Sequence, residues 1–149
     1  MYQLLVFVHV VCAVVWVGGA FAIQVLGVMV SRSDDPAELP RLGAHMERLG
    51  TWVFLPAAVL LFAAGVAMTI QHWSFGQVWI AIAVALWIVS ALAGSLYLGP
   101  SAKRVAALFE VEGPGSVAAR QLIGRMFWVS RLELVSFAVI IALMVFKPS

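Results

Sequence analysis

The chain has 149 residues, of which 64% are hydrophobic and only 11% are charged. Together with a mean hydropathy of +1.05, this composition excludes a soluble globular domain and predicts an integral membrane protein. The net charge of +2 comes from basic loops and not from a continuous stripe of Lys and Arg. Nucleic acid is therefore excluded as a partner, and the lipid bilayer is the expected one.

Four apolar stretches are long enough to cross a bilayer, which takes about 20 helical residues. They cover residues 4–30, 52–70, 78–98 and 126–146. Because these stretches use nearly the whole chain, we predict an all-α fold in a single domain, residues 1–149. The predicted architecture is a four-transmembrane-helix bundle with a short hairpin between spans two and three and two longer basic loops.

The first span carries a histidine at a depth where an ionisable side chain needs a partner. Helical spacing places His9, Cys12 and Trp16 on one face, and Gly18 and Gly19 follow on the same span. Three interpretations of His9 stay open: a hydrogen bond across the bundle to a backbone carbonyl or a hydroxyl, ligation of a haem iron, or another metal or proton role. Haem ligation is the interpretation we favour.

Copper is the alternative metal at this position. Cys12 is the only cysteine in the sequence, so no internal disulfide can form. It could share a soft cation with His9 and with a methionine such as Met68 or Met144. Two adjacent ligands without a methionine-rich motif make this a weaker pattern than haem ligation.

Basic residues predict the orientation of the bundle. Seven of the nine Lys and Arg residues lie between spans one and two or between spans three and four: Arg32, Arg41, Arg48, Lys103, Arg104, Arg120 and Arg125. The hairpin at residues 71–77 has none. The positive-inside rule then places both loops in the cytoplasm and both termini outside, in the inner membrane of a bacterium. His72 shares the outer half of the membrane with His9, which makes it a candidate second haem ligand.

Helix signals continue into the two basic loops. Asp35-Pro36-Ala37-Glu38 resembles a capping box and predicts that a helix begins there. Residues 101–111 alternate basic and apolar residues with a helical period, and we predict that this segment lies on the inner membrane surface. Pro56 removes a backbone hydrogen bond from span two and should kink it, which would open a gap that a ligand or water could fill.

Two charged residues lie inside span four. Arg131 and Glu133 are two positions apart, so they face opposite sides of a helix and cannot neutralise each other. Glu47 and Arg48, at the inner end of span two, are the expected partners. We predict structural ion pairs of Arg131 with Glu47 and of Glu133 with Arg48. The alternative is a proton path or a group that binds haem propionates.

Several short motifs, taken in order, resemble a family of small bacterial four-helix membrane proteins of unknown function. More distantly, the chain is similar to the membrane-embedded, haem-binding protoporphyrinogen oxidases of bacteria and to the copper-resistance D domain. The motifs are His9 with Trp16 and Gly18-Gly19, Met46-Glu47-Arg48-Leu49, Pro56-Ala57 with Gly65, Arg131-Leu132-Glu133, and Lys147-Pro148.

The resemblance implies that His9 is a haem ligand, since the oxidases have a histidine at the matching position. They also have an arginine later in span one, where this chain has Gln24-Val25-Leu26, and a lysine in span three, where this chain has none. The resemblance therefore implies haem binding more directly than porphyrinogen oxidation.

Three functions follow from these observations. The favoured one is a membrane haem b-binding protein in electron transfer or porphyrin-related redox chemistry, whose partners would be a porphyrin or a redox protein. The alternatives are a transport module for copper or a small solute, and a non-catalytic scaffold subunit, for which a second copy of the chain is a candidate partner. No phosphate-binding loop and no nucleophile with a paired base occurs in the sequence, which disfavours hydrolase and nucleotide chemistry. Whether the protein is an enzyme stays open.

Overall fold

A computed structural model, which describes residues 1–33, 35 and 37–148, consists of long helices. Four of them are long and apolar enough to span a membrane: α1 (Tyr2–Ser31), α2 (Glu38–His72), α3 (Val78–Glu112) and α4 (Val117–Phe146). No strand occurs among the described residues. The predicted all-α, four-transmembrane-helix fold is confirmed.

The four helices pack as an antiparallel bundle. Helix α1 lies mainly against α2, and α3 lies mainly against α4. We call the end that holds both chain termini and residues 73–77 the hairpin end. The opposite end, with the connections at residues 32–37 and 113–116, is the basic end.

Small residues dominate the buried part of the bundle. The buried alanines include Ala57, Ala58, Ala64 and Ala83, and side chains of this size let helices approach closely when no hydrophobic force drives them together in lipid. Large apolar side chains point outward instead. Trp52 is 79% exposed and Trp128 is 66% exposed, which is typical of aromatic residues at a membrane boundary.

Three helices contain a π-helical segment, at Val14–Gly18 in α1, Gly50–Phe54 in α2 and Ala93–Leu98 in α3. The second segment lies immediately before Pro56. Because proline has no backbone N–H, the regular ladder of α2 cannot run unchanged through this position. A π segment therefore lies close to Pro56, whereas the kink predicted for span two stays a prediction.

The helices extend beyond the apolar stretches at the basic end. Residues 101–111 continue α3 and pack against α2 and α4, so the prediction that they lie on the membrane surface is wrong. Their apolar side chains have a protein partner, because Val105 and Phe109 form a buried cluster with Ala119. The predicted start of α2 is confirmed within two residues. The Asp35 side chain accepts a hydrogen bond from the Ala37 amide at 2.8 Å, whereas Pro36 lies outside the described residues.

Candidate functional site

The His9 side chain reaches across the bundle to the backbone of α2. Its Nδ1 lies 2.9 Å from the carbonyl oxygen of Leu61. A carbonyl oxygen can only accept, so in this contact Nδ1 carries the proton and donates it. The neutral imidazole then has its lone pair on Nε2, which makes no hydrogen bond to the described residues. A hydrogen bond to a backbone carbonyl across the bundle, one of the three interpretations of His9, is therefore confirmed.

Gly65 makes room for this ring. A Cβ atom at Gly65 would lie 3.2 Å from Cε1 of His9 and 3.4 Å from Nδ1, which is closer than ordinary van der Waals contact. Gly65 is one helical turn after Leu61, so the same face of α2 supplies both the acceptor and the space. The orientation of the imidazole is consequently fixed by backbone atoms of α2.

His9 lines a cavity of about 370 Å³ at the hairpin end of the bundle. This volume lies within the range of roughly 300 to 1,000 Å³ that is typical of small-molecule sites. Aromatic side chains from all four helices and the hairpin contribute to the wall beside aliphatic ones: Trp16, Phe62, Trp73, Phe75, Trp79, Trp87 and Phe137. The cavity can therefore hold a flat, largely apolar molecule beside a neutral imidazole nitrogen.

The aromatic wall is itself packed. The Phe62 and Trp87 rings stack with centroids 4.2 Å apart and planes 19° apart. Trp16 contacts Phe137 at 4.8 Å between centroids and lies 6.3 Å from Trp87. These contacts restrict the rotamers of the rings that face the cavity, which keeps the space open to a ligand without large rearrangement.

The predicted cofactor-binding residues divide into two groups. His9 and Trp16 line the cavity, whereas Gly18, Gly19 and His72 are not among its lining residues. A Cβ atom at Gly19 would overlap the Phe54 ring, so Gly19 serves helix packing, and nothing lies within 4 Å of a Cβ at Gly18. The His72 ring packs edge-on against Tyr2, with centroids 4.2 Å apart.

The copper alternative receives less support from the geometry. Cys12 is buried in a cluster with Ala57 and Leu61 and does not line the cavity. Within residues 1–33, 35 and 37–148, no group of three or more His, Cys, Asp or Glu side chains is arranged to hold a metal ion. Met68 and Met144 do line the cavity with His9, so two soft thioethers are available at the site.

The predicted ion pairs of Arg131 with Glu47 and of Glu133 with Arg48 are wrong. Glu47 faces Lys103, with Oε1 and Nζ 3.7 Å apart, and neither predicted pair is found among the described residues. Arg131 is exposed, and its guanidinium carbon lies 5.5 Å from the centre of the Trp128 ring. The rotation of α4 directs Arg131 outward toward the membrane boundary, where a long basic side chain can reach polar surroundings.

Sequence reasoning missed three features of the site. Leu61 contributes only a backbone atom, Phe62 belongs to a different helix, and Lys147 lies beyond the last apolar residue of α4. The sequence does carry a signal for Lys147, because a basic residue at the end of a span is expected to face the headgroup region. The helix pairing that brings Leu61 to His9 has no signal in the sequence.

A buried polar residue lies outside the cavity. Gln24 is 8% exposed, and its Oε1 and Nε2 have no hydrogen-bond partner among the described residues. The geometry gives it no connection to His9.

Comparison with known proteins gives one match. Residues 3–148 match the family described as "Predicted integral membrane protein (DUF2269)". No curated protein and no solved structure matches the chain. The likeness to haem-binding oxidases and to the copper-resistance D domain therefore stays a prediction. The match covers nearly the whole chain, and the four apolar helices agree with its description. The protein belongs to the DUF2269 family of predicted integral membrane proteins.

Proposed function

We propose that the protein binds haem b in the aromatic cavity at the hairpin end, with Nε2 of His9 as an axial ligand of the iron, and acts in electron transfer or porphyrin-related redox chemistry. The observation that carries this proposal is the 2.9 Å contact between Nδ1 of His9 and the Leu61 carbonyl. Histidines that bind a metal typically donate their other ring N–H to a carbonyl or carboxylate, which fixes the tautomer and makes the ligating nitrogen more basic.

The residues of the cavity fit this cofactor in two respects. The imidazole has a free nitrogen, and aromatic side chains contribute to the wall beside it. Met68 and Met144 add thioether groups, which serve as axial ligands in some haem proteins. A scaffold protein would require none of these features, because a histidine bonded to a carbonyl in a filled core would serve it equally well.

Bound haem b supplies one-electron redox chemistry, and the chain supplies the environment that tunes it. His9 would hold the iron from α1, while Leu61 and Gly65 orient the ring. The wall is largely apolar, and the dielectric of such a shell influences the reduction potential of a bound group.

The proposed location is the inner membrane of a bacterium, with both termini and the cavity on the outer side. Support comes from the charge of the basic end, where the two connections and the adjoining ends of the helices together hold seven of the nine Lys and Arg residues. A redox or porphyrin partner would then approach the cavity from the outer face.

The test is the haem content of protein purified in detergent from cells supplied with the haem precursor 5-aminolevulinate. The wild type should contain one haem b per chain and show a Soret band. His9→Ala should lose the haem and keep its yield and helix content, because one neutral ligand contributes far more to the metal site than to the apolar helix.

His72→Ala is the matched control, since His72 is also a histidine of the hairpin end but does not line the cavity. It should retain the haem. Wild-type protein without haem under these conditions would contradict the proposal, as would equal haem content in the wild type and in His9→Ala.

A further inference from the structure

The rim of the cavity carries a single basic side chain. Lys147 follows the last residue of α4, and its φ of 43° places it in the left-handed region that ends the helix. Its Nζ lies 4.4 Å from the centre of the Trp73 ring. Lys147 and Trp73 both line the cavity, so the contact holds the ammonium group at the mouth.

The charge at this mouth is not neutralised by the wall. No Asp or Glu lines the cavity, and Lys147 forms no ion pair with any of the described residues. A lysine ammonium has three N–H donors, and the face of an aromatic ring satisfies the charge only in part. The Lys147 ammonium is therefore free to donate to an anionic group that enters from the membrane surface.

Polarity changes along the cavity. The deep part is formed by His9 with aromatic and aliphatic side chains, whereas the cationic Lys147 ammonium lies at the mouth. A ligand that matches this distribution has an apolar body and an acidic group at one edge. A fully apolar ligand would leave the ammonium without a partner, and a ligand with anionic groups on all sides would bury charge against the aromatic wall.

We propose that Lys147, positioned by Trp73, recognises a carboxylate at the edge of the cavity ligand. The inference rests on the proposed function, and for haem b the recognised group is a propionate. It assigns the chemical class of the ligand as a planar apolar acid and makes Lys147 the residue that selects for the acid. Lys147 is a specificity-determining residue in this arrangement, whereas His9 holds the iron.

The experiment measures the affinity of detergent-solubilised protein for two probes, haem b and haem b dimethyl ester, whose propionates are esterified. Lys147→Gln should weaken the binding of haem b by about fivefold, the upper end of what a solvent-accessible ion pair contributes. It should leave the affinity for the diester unchanged. Lys147→Arg should restore the affinity for haem b, because the guanidinium also pairs with carboxylates.

Lys103→Gln is the matched control, because it removes the same charge at the basic end, where the Lys103 ammonium lies 3.7 Å from the half-buried Glu47 carboxylate. It should bind both probes as the wild type does. An equal loss of affinity for haem b and for its diester in Lys147→Gln would overturn the inference, since Lys147 would then act only on the fold or on the aromatic wall.

Unchanged affinity for both probes in Lys147→Gln would also overturn the inference, because the ammonium would then make no contribution to recognition of the carboxylate. Failure of the wild type to bind either probe is a different result. It would refute the proposed haem function itself, and the inference about Lys147 with it.

Discussion

Two adjacent glycines in α1 offer a sharp test of the packing, because only one of them is in close contact. A Cβ atom at Gly19 would lie 2.8 Å from Cζ of Phe54, whereas nothing lies within 4 Å of a Cβ at Gly18. Both residues have helical backbone angles, with φ of −64° at Gly18 and −63° at Gly19. Alanine at either position therefore needs no change of the backbone.

Gly18→Ala and Gly19→Ala should differ in their effect on the free energy of unfolding only through the contact with Phe54. Gly→Ala in a helix interior favours the helix by about 1 kcal/mol at both positions, and this gain cancels in the comparison. Forcing an extra methyl group into a packed contact typically costs about 1 to 3 kcal/mol. Gly19→Ala should consequently be less stable than Gly18→Ala by about 1 to 3 kcal/mol.

The assay is reversible unfolding of the purified protein in mixed micelles, followed by circular dichroism as the fraction of sodium dodecyl sulfate increases. In a Phe54→Ala background, Gly18→Ala and Gly19→Ala should change the free energy of unfolding equally, because the overlapping ring is gone. This double-mutant cycle isolates the contact between Gly19 and Phe54. Equal stability of the Gly18→Ala and Gly19→Ala proteins would refute the close approach of α1 and α2 at Phe54.

Three further predictions concern the site, a helix cap and the topology. Gly65→Val should push the His9 ring away from the Leu61 carbonyl and lower the affinity for haem b by about 10- to 100-fold in an absorption titration. The control Gly94→Val should bind haem b as the wild type does, because a Cβ at Gly94 meets no neighbour. Ser116→Ala should destabilise the protein by about 1 kcal/mol in the same unfolding assay, because its hydroxyl caps the first turn of α4. An alkaline phosphatase fused to the C-terminus should be active and a fused green fluorescent protein dark, because both termini are expected outside; the reverse pattern would contradict the proposed orientation.

The sequence predicted the four spans because hydropathy reports directly how much of a chain can cross a bilayer. It did not predict that the third helix extends beyond its apolar stretch. Residues 101–111 carry a helical period, which is compatible both with a surface helix and with an extension of α3. Val105 and Phe109 contact α4, and these contacts favour the continuation of α3 over a surface helix. Such contacts depend on how the helices are paired.

The candidate site was predicted only in the part that belongs to α1. The spacing of His9 and Trp16 places them on one face, and both line the cavity. Leu61 and Gly65 were not predicted to contact His9, since the register between α1 and α2 is set by the packing of small residues along both helices. The partners of Glu47 and Arg131 were predicted wrongly for a related reason, because helical rotation about the axis decides which charges face each other.

The central claim, that His9 holds a haem iron in this cavity, is tested most directly by chemical rescue. The measurement is the absorption spectrum of His9→Gly protein titrated with haem b, with and without added imidazole. The wild type should bind one haem b with a Soret band typical of imidazole ligation. His9→Gly should lose this spectrum and regain it when imidazole occupies the space beside Gly65. A wild type that gives no Soret band, or a His9→Gly protein whose spectrum matches the wild type without imidazole, would contradict the claim.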